Sequence, residues 1–171
     1  HYREQGWLVA RAYVPPQAVR DGHVEIALLE GHYGTPELDN RSHVRSELLE
    51  RHLARLAANR VIARDAIDRR LLLIRDLGGV SEVNASLRPG GQTGESTLRV
   101  EVGAPRRATG SLTADNYGNR FIGRYRAGGA LEVASPLGRG DLLDVRILSS
   151  GDELQSGRLG YRLPLGLEGL T

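Results

Sequence analysis

Beyond Pro105 the apolar and polar positions alternate with a period of two. Tyr125, Ala127, Gly129, Leu131 and Val133 fall on one side of an extended segment, and Arg124, Arg126, Gly128, Ala130 and Glu132 on the other. The next segment sets Leu143, Val145 and Ile147 against Asp144 and Arg146, and the last sets Leu159, Tyr161 and Leu163 against Arg158 and Arg162. Pro136-Leu137-Gly138 and Ser149 to Asp152 read as the turns between them. This half of the chain predicts antiparallel strands of about ten residues or more, against a usual mode of five or six, with one apolar and one arginine-rich face.

Before Pro105 the period is helical. Val44, Leu48, Leu49, Leu53 and Leu56 share one helix face behind Ser42, whose hydroxyl predicts an N-cap. A second helix starts near Ala63 with Asp65 in its first turn, buries Ile67, Leu71, Ile74 and Leu77, and stops at Gly78-Gly79. A strand near Tyr33 to Leu38 precedes the helices. Val80 to Leu87 and Thr97 to Val102, joined through Pro89-Gly90-Gly91, follow them, so residues 33–103 read βααββ, a small α+β domain. Upstream, Leu8 to Val14 and Val24 to Leu29 form a hairpin through Arg20-Asp21-Gly22. Arg3, Gly6 and Gly22 recur at one fixed offset as Arg75, Gly78 and Gly94, in the same order of helix end, strand, turn and strand. The first hairpin therefore predicts the tail of a sister domain, although three coincident residues also fit two unrelated hairpins. The opening His1-Tyr2-Arg3 has neither an initiator Met nor a leader pattern and reads as the middle of a longer protein.

Composition narrows the function. The chain has 171 residues, no cysteine, and 23 basic residues, all arginine, against 21 acidic ones. A disulfide scaffold and a Cys-based zinc site are excluded. A net charge of +2 without aromatic interleaving argues against nucleic acid as partner. No apolar run approaches the roughly 18 residues of a membrane helix. A membrane β-barrel leaves no such run, because only alternate residues face lipid. The alternation fits both a soluble sheet packed on a core and such a barrel. In a barrel, arginine facing lipid at the midplane costs roughly 2–4 kcal/mol, so the face bearing Arg124, Arg126, Arg146, Arg158 and Arg162 would line the lumen. Solvated surface charge is the plain alternative for each.

Catalytic patterns are missing: there is no HExxH, Walker loop, GxSxG or GxGxxG. His43 and His52 do not have the i, i+4 spacing of a helical metal pair, and the sequence predicts no metal, no cofactor and no enzyme. Asp65 and Asp68 share a helix face without a base or metal partner and read as helix-start charge.

The combination of Asp115-Asn116-Tyr117-Gly118-Asn119-Arg120, Gly123-Arg124-Tyr125-Arg126 and Ser135-Pro136-Leu137-Gly138-Arg139-Gly140-Asp141 resembles the two-partner secretion transporters. These are the hemolysin secretion and activation proteins of the ShlB/FhaC/HecB type in the Omp85 superfamily. In that family the DNYGNR-like stretch joins the first two barrel strands and the SPLGRGD-like stretch is the turn before the third; Ser135 stands where the family commonly has Asn. The resemblance implies three parts: residues 1–31 as the end of a first POTRA domain, 32–104 as the second, and 105–171 as roughly four strands of a sixteen-stranded outer-membrane barrel. It further implies transport without ATP. POTRA domains in the periplasm capture the N-terminal secretion domain of an unfolded exoprotein and feed it into the pore, with outer-membrane lipid as the other partner. An Omp85 insertase of barrel assembly and a soluble periplasmic peptide-binding scaffold remain the alternative readings.

Capture would proceed by strand addition to an open sheet edge. The expected edge is Val80 to Arg88, with Glu82, Asn84, Ser86 and Arg88 on its outer side and the helix from Val44 to Leu56 as neighbour; a solvated edge guarded by its charges is the plain alternative. Asn116, Tyr117, Gly118 and Asn119, with Pro136 and Gly138, are expected to build rim turns. Tyr117, Phe121 and Tyr125 are candidates for an interfacial aromatic girdle, with ordinary packing as the alternative.

Overall fold

A computed structural model describes residues 9–17, 24–58, 62–118, 120–121, 123–151 and 154–171. Strands β1 (Ala10–Tyr13) and β2 (Ala27–Glu30) pair antiparallel as the predicted hairpin. The turn expected at Arg20-Asp21-Gly22 lies outside the described residues.

The βααββ unit follows. The single strand expected near Tyr33 to Leu38 is divided into β3 (His32–Tyr33) and β4 (Glu37–Asn40), because Gly34-Thr35-Pro36 breaks the run. Helices α1 (Ser46–Ala57) and α2 (Arg64–Arg75) lead to β5 (Val83–Pro89) and β6 (Glu95–Val102). β6 is central: it pairs antiparallel with β5 on one side and parallel with β3 and β4 on the other. Its residues Leu98, Val100 and Val102 are buried against Val44, Leu49, Leu53 and Leu56 of the α1 region and Ile67, Ile74 and Leu77 of the α2 region. Each such side chain contributes about 1.5–3 kcal/mol on burial, which holds both helices to one face of the sheet.

Ser42 is not the N-cap. That position is Arg45, without a side-chain cap. The Ser42 hydroxyl instead donates to Asn40 Oδ1 (2.6 Å) and accepts from the Val44 amide, while Asn40 Nδ2 donates to Val44 O (2.8 Å). Asn40 thereby ties residues 42–44 into a bend, and the helix starts only at Ser46.

The last four strands, β7 (Ala108–Asp115), β8 (Arg126–Ala134), β9 (Leu142–Ser149) and β10 (Gln155–Arg162), form one antiparallel meander in the order β7-β8-β9-β10. They run 8 or 9 residues, shorter than the expected ten or more. Pairing ends early at both ends of β8, where the Asp115–Arg126 ion pair (2.9 Å) and the positive-φ residue Ser135 turn the chain.

Candidate functional site

β3 and β4 form one edge of the α+β sheet and β5 the other. Among the described residues β5 pairs with β6 alone, at the edge the sequence predicts. Backbone parity decides what that edge offers. Gly90 N donates to Glu95 O and Gly103 N to Glu82 O, at either end of the ladder. In an antiparallel ladder, hydrogen-bonded pairs alternate with non-bonded ones, so the even-numbered residues of β5 turn their N–H and C=O groups toward β6. The groups left facing outward belong to Val83, Ala85 and Leu87, with the Pro89 carbonyl. Asn84, Ser86 and Arg88 carry exposed side chains on the sheet face away from the helices, and exposed Glu82 precedes the strand. These four were expected to form the outer side; their side chains are accessible, but their backbone is committed to β6.

The neighbouring helix also differs from expectation. α2 packs beside β5, whereas α1, whose stretch from Val44 to Leu56 was expected there, packs beside β4. Arg70 and Leu73 of α2 meet the C-terminal segment. By the helical period, Asp68, Leu72 and Arg75 lie on the opposite flank. Leu72 is half-exposed there, and Val83 and Leu87 are half-buried beneath the edge.

The register of the meander sorts its side chains as the alternation predicts. Leu112, Gly129, Ile147 and Gly157 share one cross-strand row, and Gly110, Leu131, Val145 and Leu159 the next. This apolar face has no core to cover it: Leu112 is 92% exposed, Leu159 73% and Ile147 63%. On the opposite face Ser111, Ala130, Arg146 and Arg158 form one row, and Thr109, Glu132, Asp144 and Gly160 the next. Arg146 thus stands directly across from Arg158, and Glu132 from Asp144, pairings that repel in a sheet. Arg126 is on this face but is neutralised by Asp115, and Arg162 lies at the end of β10. Arg124 falls in the connection before β8 rather than on the strand.

That connection spans residues 116–125 and is longer than the expected tight turn. Tyr117 N donates to Asp115 Oδ1, and Gly118 N to Arg124 O closes the loop's neck. Asn116 is exposed, and Asn119 lies outside the described residues. Tyr117, Phe121 and Tyr125 are all exposed at this end of the sheet, where Arg120 stacks over the Phe121 ring at 5.3 Å.

At the other end, the β8–β9 turn plugs into the α+β domain. Asp141, fully buried, accepts from Leu137 N (3.1 Å) and Arg139 N (3.0 Å), and Tyr161 of β10 donates its hydroxyl to Oδ2 (2.8 Å). Burial works to raise the Asp141 pKa, but these donors outweigh it and hold the carboxyl below its ordinary range. The turn's carbonyls then bond across to the domain: Gly78 N donates to Gly140 O (2.8 Å) and Arg45 N to Gly138 O (2.9 Å). Gly138 and Pro136 thus build the turn as expected, but Gly138 also meets the start of α1. A Cβ on Gly78 would strike the Asp141 carbonyl, so the helix stop that reads in sequence as an ordinary glycine terminator is also a docking surface. His43 Nε2 donates to Pro105 O (3.0 Å), tying down the linker between the two units. The Leu165–Leu170 turn completes the contact: Arg70 donates to Leu167 O (2.8 Å), and Glu168 lies within ion-pair reach of Arg55, Arg69 and Arg70. No periodic pattern marks this joint; its one visible sign in the sequence is Asp141 at the end of a glycine-rich turn.

A βααββ domain locked to an uncovered, alternating β-meander is an α+β POTRA-like domain followed by antiparallel strands of a partial β-barrel. The model of the haemolysin secretion/activation protein ShlB/FhaC/HecB matches residues 94–171, and that of the ShlB-type POTRA domain matches residues 1–31. The chain is 32% identical over 162 residues to the heme/hemopexin transporter protein HuxB of Haemophilus influenzae, covering 94% of the chain and 28% of HuxB. Among solved structures it resembles CdiB from Escherichia coli (TM-score 0.72, 23% identity, 96% of this chain, 31% of that one) and CdiB from Acinetobacter baumannii (0.63, 19%, 96%, 31%). BamA from Haemophilus ducreyi lacking POTRA domains 1–3 shares the fold (0.56, 13%, 92%, 30%). Residues 94–171 thus match the haemolysin secretion/activation family, and the chain spans about 30% of the length of the relatives it matches.

Proposed function

We propose that the protein is an outer-membrane translocator of two-partner secretion. Its POTRA region in the periplasm captures an unfolded exoprotein, through the exoprotein's N-terminal secretion domain, and passes it into the barrel without ATP. The observation that carries this reading is the single chain path from an open sheet edge, β5, through the Asp141 joint, to a sheet whose apolar face is bare and whose opposite face carries arginine. An edge with unpaired backbone groups takes up extended polypeptide with little sequence demand, as an unfolded cargo requires. The bare apolar face fits outer-membrane lipid and tells against a soluble scaffold, in which Leu112 and Ile147 would need a core. Residues 32–104 act as the second POTRA domain, residues 105–171 supply the first barrel strands, and residues 1–31 end the first POTRA domain.

The test is co-expression of the full-length protein with its exoprotein in a Gram-negative host. The transporter should fractionate with the outer membrane and release the exoprotein to the medium. Recovery of the transporter from the soluble periplasm only, or release unchanged by its deletion, contradicts the reading.

A further inference from the structure

A cavity of about 800 Å³ opens where α1 meets the β8–β9 turn and the segment after β10. Arg45 and Arg51 from the helix and Arg139 from the turn line it, with Leu48, Pro164 and Leu167 as apolar wall. The arginines are set in place by other contacts. Arg45 packs its side chain on Gly138, Arg51 Nε bonds back to Glu47 O (3.2 Å), and the Arg139 amide is held by buried Asp141. None of the three forms a salt bridge among the described residues, and Glu47 is the sole acid in the lining. Three arginines lining one cavity without a salt-bridge partner among the described residues offer the chemistry of phosphate recognition, since planar guanidinium forks match phosphate oxygens.

We propose that this cavity binds the phosphodiester headgroup of a membrane phospholipid. The location favours a lipid over a free anion. The cavity lies at the strand ends that carry the POTRA joint, hence, on the function proposed above, at the periplasmic rim of the barrel. Three exposed leucines are chain neighbours of its lining: Leu137 precedes Gly138 (53%), and Leu165 and Leu170 form the bridge that brackets Gly166 and Leu167 (58% and 68%). Leucine beside arginine at a membrane rim suits an amphiphile, whose acyl chains lie along the bare sheet while its phosphate enters the cavity. A bound lipid would then brace the joint from the membrane side.

The test uses the full-length protein extracted from outer membranes, carried into mild detergent, and weighed by native mass spectrometry with added phosphatidylglycerol, phosphatidylcholine or inorganic phosphate. The wild type should retain phospholipid, with phosphatidylglycerol at least several-fold above phosphatidylcholine. Combined Arg45→Gln, Arg51→Gln and Arg139→Gln changes should cut retention about tenfold, and millimolar inorganic phosphate should not displace the lipid. Retention unchanged in the triple variant overturns the site. Displacement by inorganic phosphate overturns the lipid in favour of a free-anion site. Should the triple variant fail to give the heat-modifiable folded barrel, Arg51→Gln alone, on the exposed helix face, should lower retention at least twofold, and no change in it overturns the proposal. Absence of the wild type from the outer membrane would fail the functional reading itself, and is scored by fractionation before any lipid is weighed.

Discussion

Tyr161 donates its hydroxyl to Asp141 at 2.8 Å, and through this bond the fourth strand of the meander holds the turn that docks on the POTRA-like domain. The carboxylate is the hub: the same two oxygens take the Leu137 and Arg139 amides, and the turn they shape bonds Gly78 and Arg45. Asp141 is thus the buried acid through which the β8–β9 turn joins the meander to the βααββ domain.

Asp141→Ala should loosen that joint. It strands two part-buried amides, each costing up to about 1 kcal/mol when left without its charged acceptor. Hydrogen exchange of the full-length protein should show faster exchange over residues 135–141 and at Gly78, with the β5–β6 ladder unchanged. Tyr161→Phe should produce the same pattern more weakly. Equal protection in wild type and Asp141→Ala would remove Asp141 from this role.

Gly78→Val tests the same contact from the other side. The new side chain meets the Asp141 backbone, which cannot move without unseating the turn. Secretion should fall well below half of wild type while α2 stays protected from exchange; full secretion would show that the docked joint is dispensable.

His52 supplies a pH signature. It is 2% exposed, with neither ring nitrogen hydrogen-bonded, and burial, aided by Arg70 and Arg51 and opposed by Glu168, lowers its pKa to about 4. A folded-state pKa below the unfolded value of about 6.5 means that the unfolded state binds the extra proton. Stability is therefore level above pH 6.5, declines as pH falls toward 4, and loses on the order of 2 kcal/mol over that window. Exchange of the α1 amides should accelerate across it, and His52→Leu should abolish that acceleration. An α1 equally labile to acid in both forms would place the titrating group elsewhere.

Sequence periodicity made the two halves legible because each half buries or exposes one face. The leucines of α1 read as one buried face, and Arg146 and Arg158 read as one face of the meander, as the packing and the register show them. Three features were not legible. The break at Gly34 to Pro36 split a strand that apolar content alone joined. The placement of α2 rather than α1 beside β5 follows from how the helix pair crosses the sheet, which local spacing does not encode. The joint at Asp141 and Gly78 links residues far apart in sequence, and each end reads locally as an ordinary turn.

The arginine row predicts a pore property. Arg146 and Arg158 face each other across β9 and β10 without an acidic partner in their row. Their positive potential should favour anions, so Arg146→Glu with Arg158→Glu should shift the reversal potential of the full-length pore in a salt gradient toward cation selectivity, by several millivolts or more. No shift would place this face away from the conducting path.

The most direct measurement concerns the open edge. Pro89 shares the parity of Ala85 and already sits on β5 with its missing N–H facing outward, so Ala85→Pro should be tolerated by the ladder while removing one donor from the free edge. Asn84→Pro removes a donor bonded to β6 and serves as the unfolding control. With the full-length transporter, Ala85→Pro should cut both exoprotein cross-linking to β5 and secretion at least several-fold, with the β5–β6 amides still protected. Cross-linking and secretion at wild-type levels in a folded Ala85→Pro protein would contradict capture by strand addition at this edge.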